Sequence, residues 1–243
     1  MMHVIFIAVI AFLLPDCGFA QDMTINIGGS EGGSSTARAI QLILLLTVLS
    51  LAPSILVMMT SFTRIIIVLS FMRTALGTQT TPPNQVLMSL ALFLTAFIMA
   101  PTFEKAYDEG ILPLIEEEIT EEQALERSAE PFRTFMAAHV RDKDLELFLN
   151  MSDGVEMESR DAIPYRILIP AFMISELKRA FEIGFLIFVP FLIIDMLVAS
   201  ILMAMGMMML PPVIISLPFK LIFFVLIDGW YMVTGSIARS FGL

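Results

Sequence analysis

Three ionisable side chains stand inside long apolar stretches of this sequence. Asp195 lies in the apolar segment 183–210, and Lys220 and Asp228 lie in the segment 213–233. A charged group in such a segment is costly to bury, so it normally faces a protein interior or water rather than lipid. Two kinds of chemistry fit these groups: an ion pair that fixes helix packing, or the coupled movement of protons or ions by a secondary transporter.

The spacing of Asp195 and Lys220 predicts that they are partners. Pro211 and Pro212 separate the two segments and predict a tight turn between two helices. Positions 195 and 220 are equidistant from a point just before that turn, so an antiparallel hairpin brings them to the same depth. We expect the two charges to face each other, within one hairpin or between neighbouring copies. The pair then either sets the register or couples to ion movement.

Methionines crowd the predicted turn. They occupy Met203, Met205, Met207, Met208 and Met209, directly before Leu210. Three consecutive methionines cannot all pack on one helix face, so at least one projects from the tip. Because methionine is unbranched and deformable, a ring of such tips could seal a pore and still yield to a passing chain. The alternative is a buried turn without a gating role.

Groups for covalent chemistry are scarce in this sequence. It contains two histidines, His3 and His139, and one cysteine, Cys17. It lacks a Ser/His pair, a His/Glu cluster with metal-ligand spacing and a glycine-rich phosphate loop. We therefore expect no enzyme, no cofactor and no bound metal. A basic face for nucleic acid is also missing, which argues against that class of partner.

The composition indicates a membrane protein or a protein largely buried against partners. Hydrophobic residues make up 57% and charged residues 16% of the 243 positions, against roughly 45–50% and 25% in soluble domains. The net charge of −10 is concentrated, because residues 102–161 hold 17 acidic and 6 basic side chains. One acidic module therefore interrupts an otherwise apolar chain.

The predicted organisation is all-α, with two long, kinked helical hairpins flanking a small acidic helical domain. We expect a signal peptide at 1–20, because the apolar run is too short to span a bilayer and small residues precede position 21. The remaining predicted parts are a Gly/Ser linker (21–38), a first hairpin (39–103), the acidic module (104–164) and a second hairpin with the Met-rich turn (165–243).

Four apolar segments of these hairpins are long enough to cross a bilayer: 39–62, 86–103, 183–210 and 213–233. Each contains a proline, which kinks a helix and favours packing on other helices over packing on lipid. Cleavage of a signal peptide places the new N-terminus outside. The connection 63–85 then lies inside with Arg64 and Arg73, and the acidic module lies outside.

Within the acidic module, Thr120 and Gln123 have the spacing of a capping box, and Asp142 is expected to cap a second short helix. A helical stripe follows at Phe132, Phe135, Met136, His139 and Val140. This stripe either forms the module's own core or meets neighbouring subunits. The charged stretch 175–179 likewise pairs between subunits or forms a solvated helix end.

Several extended motifs are shared with one family. They lie at 60–65, 81–87, 190–196, 206–212, 215–220 and 228–230. On these residues the sequence resembles FliP, the P-subunit family of the bacterial flagellar type III export gate, which has relatives in virulence injectisomes. The resemblance extends from Leu42 onward, and a cleavable signal peptide favours the flagellar branch.

The resemblance implies a structural channel subunit in the bacterial inner membrane and flagellar basal body, with the acidic module on the periplasmic side. In that family about five copies assemble with Q and R subunits into a conical helical complex that holds the export channel and templates the rod. Further export-gate and basal-body ring proteins are the implied partners, and unfolded flagellar proteins are the implied cargo.

The resemblance also implies roles for individual residues. Met207, Met208 and Met209 match a methionine loop that acts as a gasket in the channel. The charged hairpin positions of the family are matched by Asp195, Lys220 and Asp228. Contacts between P subunits are matched by Phe135, Phe148 and Glu176. A secondary transporter remains the alternative function, although the sequence carries no convincing inverted repeat.

Overall fold

A computed structural model describes residues 35–78, 80–152, 163–207 and 210–242. These residues form helices, turns and short connections, and no β-strand occurs among them, which confirms the all-α prediction. The chain divides into two units, residues 1–47 and 48–243. The predicted signal peptide and most of the predicted linker lie outside the described residues.

Most of the described helices follow one another along the chain with short connections. Helix α1 spans Ser35–Met58 and begins inside the predicted linker. The second unit contains α2 (Phe62–Ala75), α3 (Asn84–Ile98), α4 (Ala100–Ala106), a π-helical turn (Tyr107–Ile111), α5 (Leu112–Ile115), α6 (Glu121–His139), α7 (Asp142–Asn150), α8 (Tyr165–Ala204), α9 (Pro212–Leu226) and α10 (Gly229–Arg239).

Helix α2 is the central helix of the second unit, although the apolar pattern predicts a connection between two apolar segments at these positions. Its Ile65, Val68, Leu69 and Met72 are fully buried, and they recur at helical spacing. The helix packs closely on α8, where a side chain at Gly184 would lie 2.7 Å from the Phe71 ring. The prediction of a connection here was wrong, because Arg64 and Arg73 limit the apolar run between them to eight residues, well short of the roughly 20 that a membrane span needs.

Helices α8 and α9 are joined by an ion pair, and the two arms predicted for the second hairpin differ in continuity. Helix α8 continues for 40 residues despite Pro170 and Pro190. The other arm is broken at Asp228, whose φ of 51° places it in the left-handed region, and α9 and α10 meet there at a bend of 65°. A similar bend of 60° separates α3 from the helical stretch 100–115.

These breaks change the expected membrane topology. Among the described residues, α8 alone is long and apolar enough to cross a bilayer as one helix, and up to three crossings result if each bent pair counts as one. The second and fourth predicted segments are therefore not continuous spans. Proline at position 101 and the left-handed residue at position 228 interrupt them.

The acidic module packs on the first half of α8 rather than forming a core of its own. As predicted, Phe132, Met136 and Val140 are buried on one stripe, and they meet Leu168 and Phe172 of α8. The capping box of Thr120 and Gln123 is also confirmed at the start of α6. Asp142 does not cap α7, because Arg141 occupies the N-cap position and Asp142 is the first helical residue.

Candidate functional site

The predicted charge pair forms within one chain. The Lys220 ammonium on α9 lies 2.6 Å from Asp195 Oδ2 on α8, and Lys220 is buried. Ser216, one helical turn before Lys220, is fully buried and its Oγ donates to Asp195 Oδ1 at 2.5 Å. The carboxylate is thus held by two donors from one face of α9. The pairing that was predicted from equal distances to the turn is confirmed.

Lys220 also contacts a third helix, which the spacing of the two charges does not predict. Its Nζ donates to the carbonyl of Ala75, the last residue of α2, at 3.2 Å. The final carbonyls of a helix have no partner within it and carry partial negative charge, so a cation is favourable there. Gly77, with φ of 80°, follows α2 at the position where glycine commonly ends a helix. In the sequence, Gly77 is the residue that could have indicated a helix end, and therefore free carbonyl groups, at this position.

The third predicted charge, Asp228, is not part of this group. It is exposed and lies at the junction between α9 and α10, where its left-handed backbone makes the bend. Asp195 and Lys220 therefore connect α2, α8 and α9 without Asp228. A tightly bonded pair of this kind is suited to fixing the hairpin register.

The Met-rich turn lies at the tip of the hairpin. Helix α8 ends at Ala204, and Gly206, with φ of 75°, turns the chain. Met203, Met205 and Met207 are exposed, with 47% of Met207 accessible. Met207 thus projects from the turn, as the crowding of methionines predicts. Met208 and Met209 lie outside the described residues, so their gasket role stays a prediction.

A second buried ion pair, which the sequence did not predict, joins α2 to α8. Arg64 Nε on α2 donates to Glu176 Oε2 on α8 at 2.8 Å, and Arg64 Nη2 pairs with Glu176 Oε1. Both side chains are fully buried. Glu176 is therefore neither at a solvated helix end nor available as an exposed partner for a neighbouring subunit. Because Arg64 is buried in the core, its charge is weak evidence for the predicted membrane orientation.

Phe135 and Phe148, the other predicted subunit contacts, are half-buried against the core that joins the acidic module to α8. The Phe135 ring lies 5.9 Å from that of Phe172 and 4.5 Å from that of His139. Part of each phenylalanine thus contributes to the fold of its own chain. Their contacts with other copies stay a prediction.

The histidine of the acidic module is a packing residue with a perturbed pKa. Burial lowers the pKa of His139, and the positive charges of Arg64 and Arg179 act in the same direction, against a hydrogen bond to the Phe135 carbonyl at 2.8 Å. Across the described part of the chain, no three His, Cys, Asp or Glu side chains are placed to hold a metal ion.

A polar network joins α7 to α8. Asp144 accepts hydrogen bonds from the Arg141 guanidinium and, at 2.6 Å, from Ser175 Oγ. Burial acts to raise the pKa of Asp144, but these bonds outweigh it and hold the pKa below its usual value. Ser175 begins the charged stretch 175–179, but its contact with Asp144 was not predicted.

Large apolar side chains remain exposed along several helices. The most accessible include Phe97 (72%), Val225 (75%) and Leu226 (79%), and they lie on α3 and α9. Exposed apolar surface of this extent marks contact with a membrane or with other proteins.

Comparison with known proteins agrees with the family resemblance. The FliP family model matches residues 45–237. The chain is 55% identical to the flagellar biosynthetic protein FliP of Caulobacter vibrioides, over 96% of this chain and 88% of that protein. It is 57% identical to FliP of Bacillus subtilis, over 89% and 98%, and 56% identical to FliP of Pectobacterium carotovorum, over 87% and 82%. The matched region contains α2 to α9, both buried ion pairs and the Met-rich turn, and the chain belongs to the FliP family.

Proposed function

We propose that this chain is a structural, channel-forming subunit of the flagellar type III export gate. It works without covalent chemistry in the bacterial inner membrane at the flagellar basal body. About five copies assemble with Q and R subunits and with further export-gate and basal-body ring proteins. The complex conducts unfolded flagellar proteins and templates the rod.

The observation that carries this proposal is the exposed, Met-rich tip of a hairpin whose register is fixed by buried charges. Asp195 and Lys220 hold α8 and α9 together, so the turn between them has a defined position. Met207 projects from that turn. A ring of equivalent tips from several copies would form a deformable apolar constriction, which hinders ions and yields to a passing chain.

The rest of the surface is consistent with such an assembly. Exposed Phe97, Val225 and Leu226 would be covered by lipid or by neighbouring helices. The acidic module would lie on the periplasmic side, where the exposed parts of Phe135 and Phe148 meet other copies. The export gate would thus use its apolar helices mainly as protein–protein interfaces.

The proposal is tested by ion conductance of the complex co-expressed with its Q and R subunits. Replacing Met207, Met208 and Met209 together by alanine should raise ion leak while the complex still assembles. Met203→Ala is the matched control, because Met203 is exposed on α8 before the turn. Unchanged conductance in an assembled triple variant would contradict the gasket. Substrate-dependent transport by the purified single chain would instead favour a carrier.

A further inference from the structure

The residues that follow α10 fold back onto the core of the second unit. Arg64 Nη1 donates to both the carbonyl and the Oγ of Ser240, each at 2.9 Å. The Arg64 guanidinium carbon lies 3.7 Å from the centroid of the Phe241 ring. Because Glu176 occupies the Nε–Nη2 edge of this guanidinium, its remaining edge and its face are directed to Ser240 and Phe241.

Phe241 connects two groups of helices. Its ring stacks near that of Phe135, with centroids 6.1 Å apart and an interplanar angle of 20°, and it lies 5.3 Å from the His139 ring. It also packs against the apolar core formed by α2, α3, α8, α9 and α10. The residue after Phe241 does not take part in this contact, because a side chain built at Gly242 would have no neighbour within 4 Å.

The opposite end of α10 is a sharp bend at Asp228. Asp228 adopts a left-handed conformation, which a non-glycine residue keeps only when the surrounding structure holds it. Between this bend and Ser240, α10 contributes the buried Val233 and Ile237 to the core. The 65° bend between α9 and α10 is therefore fixed from both ends of α10.

We propose that Ser240 and Phe241 form a latch, closed by Arg64, that ties the C-terminal end of α10 to α2 and to α6 of the acidic module and maintains the bend at Asp228. When the contacts of Arg64 with Ser240 and Phe241 are lost, α10 is free to move about the bend at Asp228, while α8 and α9 stay paired through Asp195 and Lys220. This role goes beyond protein conduction and holds for the folded chain whether or not it forms a channel.

The latch is tested by hydrogen–deuterium exchange on the full chain in its co-expressed complex. Phe241→Ala removes the ring that contacts Arg64 and Phe135. We expect the amides of α10 to exchange at least about tenfold faster while those of α9 exchange at the wild-type rate, because the substitution removes the contacts that hold the C-terminal end of α10 and leaves the Asp195–Lys220 pair in place. Phe97→Ala is the control, since it removes an exposed phenylalanine elsewhere. Unchanged exchange in α10, or equal acceleration in α8 and α9, would overturn the latch.

A second variant tests the part played by Arg64. Removing Arg64 alone would leave Glu176 as a buried, unpaired carboxylate and disturb folding. The double substitution Arg64→Leu with Glu176→Leu avoids this, while it still deprives Ser240 of its donor and Phe241 of its cation. We expect the same local acceleration in α10. Full protection of α10 in a folded double variant would show that Arg64 does not close the latch.

Discussion

Arg64 and Glu176 lie 112 positions apart in the sequence and meet as a fully buried ion pair between α2 and α8. Two of the three guanidinium nitrogens contact the carboxylate, and the third contacts Ser240. The pair therefore satisfies its own charges inside the core. Its formation fixes how the central helix meets the longest helix of the molecule.

The first prediction concerns the loss of one partner of this pair. Arg64→Met should lower the free energy of unfolding by about 3–5 kcal/mol, because it leaves an uncompensated buried carboxylate. Thermal unfolding of the detergent-solubilised complex measures this. Arg64→Leu with Glu176→Leu is the control, and it should recover most of the loss. Equal destabilisation by single and double variants would contradict a paired carboxylate.

The second prediction concerns charge reversal at the hairpin. Asp195→Lys with Lys220→Asp should support flagellar export better than either single change, because the register pair is restored. It should still fall below the wild type, because an aspartate at position 220 cannot donate to the Ala75 carbonyl that Lys220 contacts. Swimming halo size and complex yield measure both effects. Failure of the double reversal to improve on the single changes would favour ion coupling instead.

The third prediction concerns the closest approach of α2 and α8. Gly184→Ala should cost about 1–3 kcal/mol, because the new methyl group would lie 2.7 Å from Phe71 and force the helices apart. Gly235→Ala is the control, since it meets only the flexible Arg239 side chain and gains helix propensity. In a Phe71→Ala background, which removes the clashing ring, Gly184→Ala should cost little further stability. A stable Gly184→Ala protein without that second change would contradict the packing.

The fourth prediction concerns pH. The pKa of His139 is lower in the folded protein than its ordinary value of about 6.5, so the unfolded chain binds the proton more readily. The stability tied to the neutral ring is full above that value and declines as the pH falls through it. His139→Gln should therefore flatten the decline in unfolding temperature between neutral and mildly acidic pH. An identical pH profile in both proteins would exclude this contribution.

The hairpin and its charge pair could be predicted because their evidence is local. Two prolines mark the turn, and equal distances from it determine which residues meet. The capping box of Thr120 and Gln123 is local in the same way. Periodicity likewise identifies the buried stripe of the acidic module, although it does not reveal that α8 covers the stripe.

The Arg64–Glu176 pair and the burial of α2 could not be derived in this way. Their partners come from distant parts of the chain, and a single arginine before an apolar run has the same sequence signature at a membrane boundary as in a core. The bend at Asp228 was also missed. A left-handed aspartate depends on its tertiary surroundings, and hydropathy averages across it.

The contact between Arg64 and Ser240, separated by 176 positions, has a consequence for biosynthesis. During translation α2 leaves the ribosome long before α8 and the residues after α10 exist. Glu176 becomes available to the Arg64 guanidinium before Ser240 does, so the last hydrogen bonds of Arg64 form only after position 240 has been made. A chain that ends before position 176 would keep Arg64 as an unpaired cation on an apolar helix, a feature that the finished chain lacks.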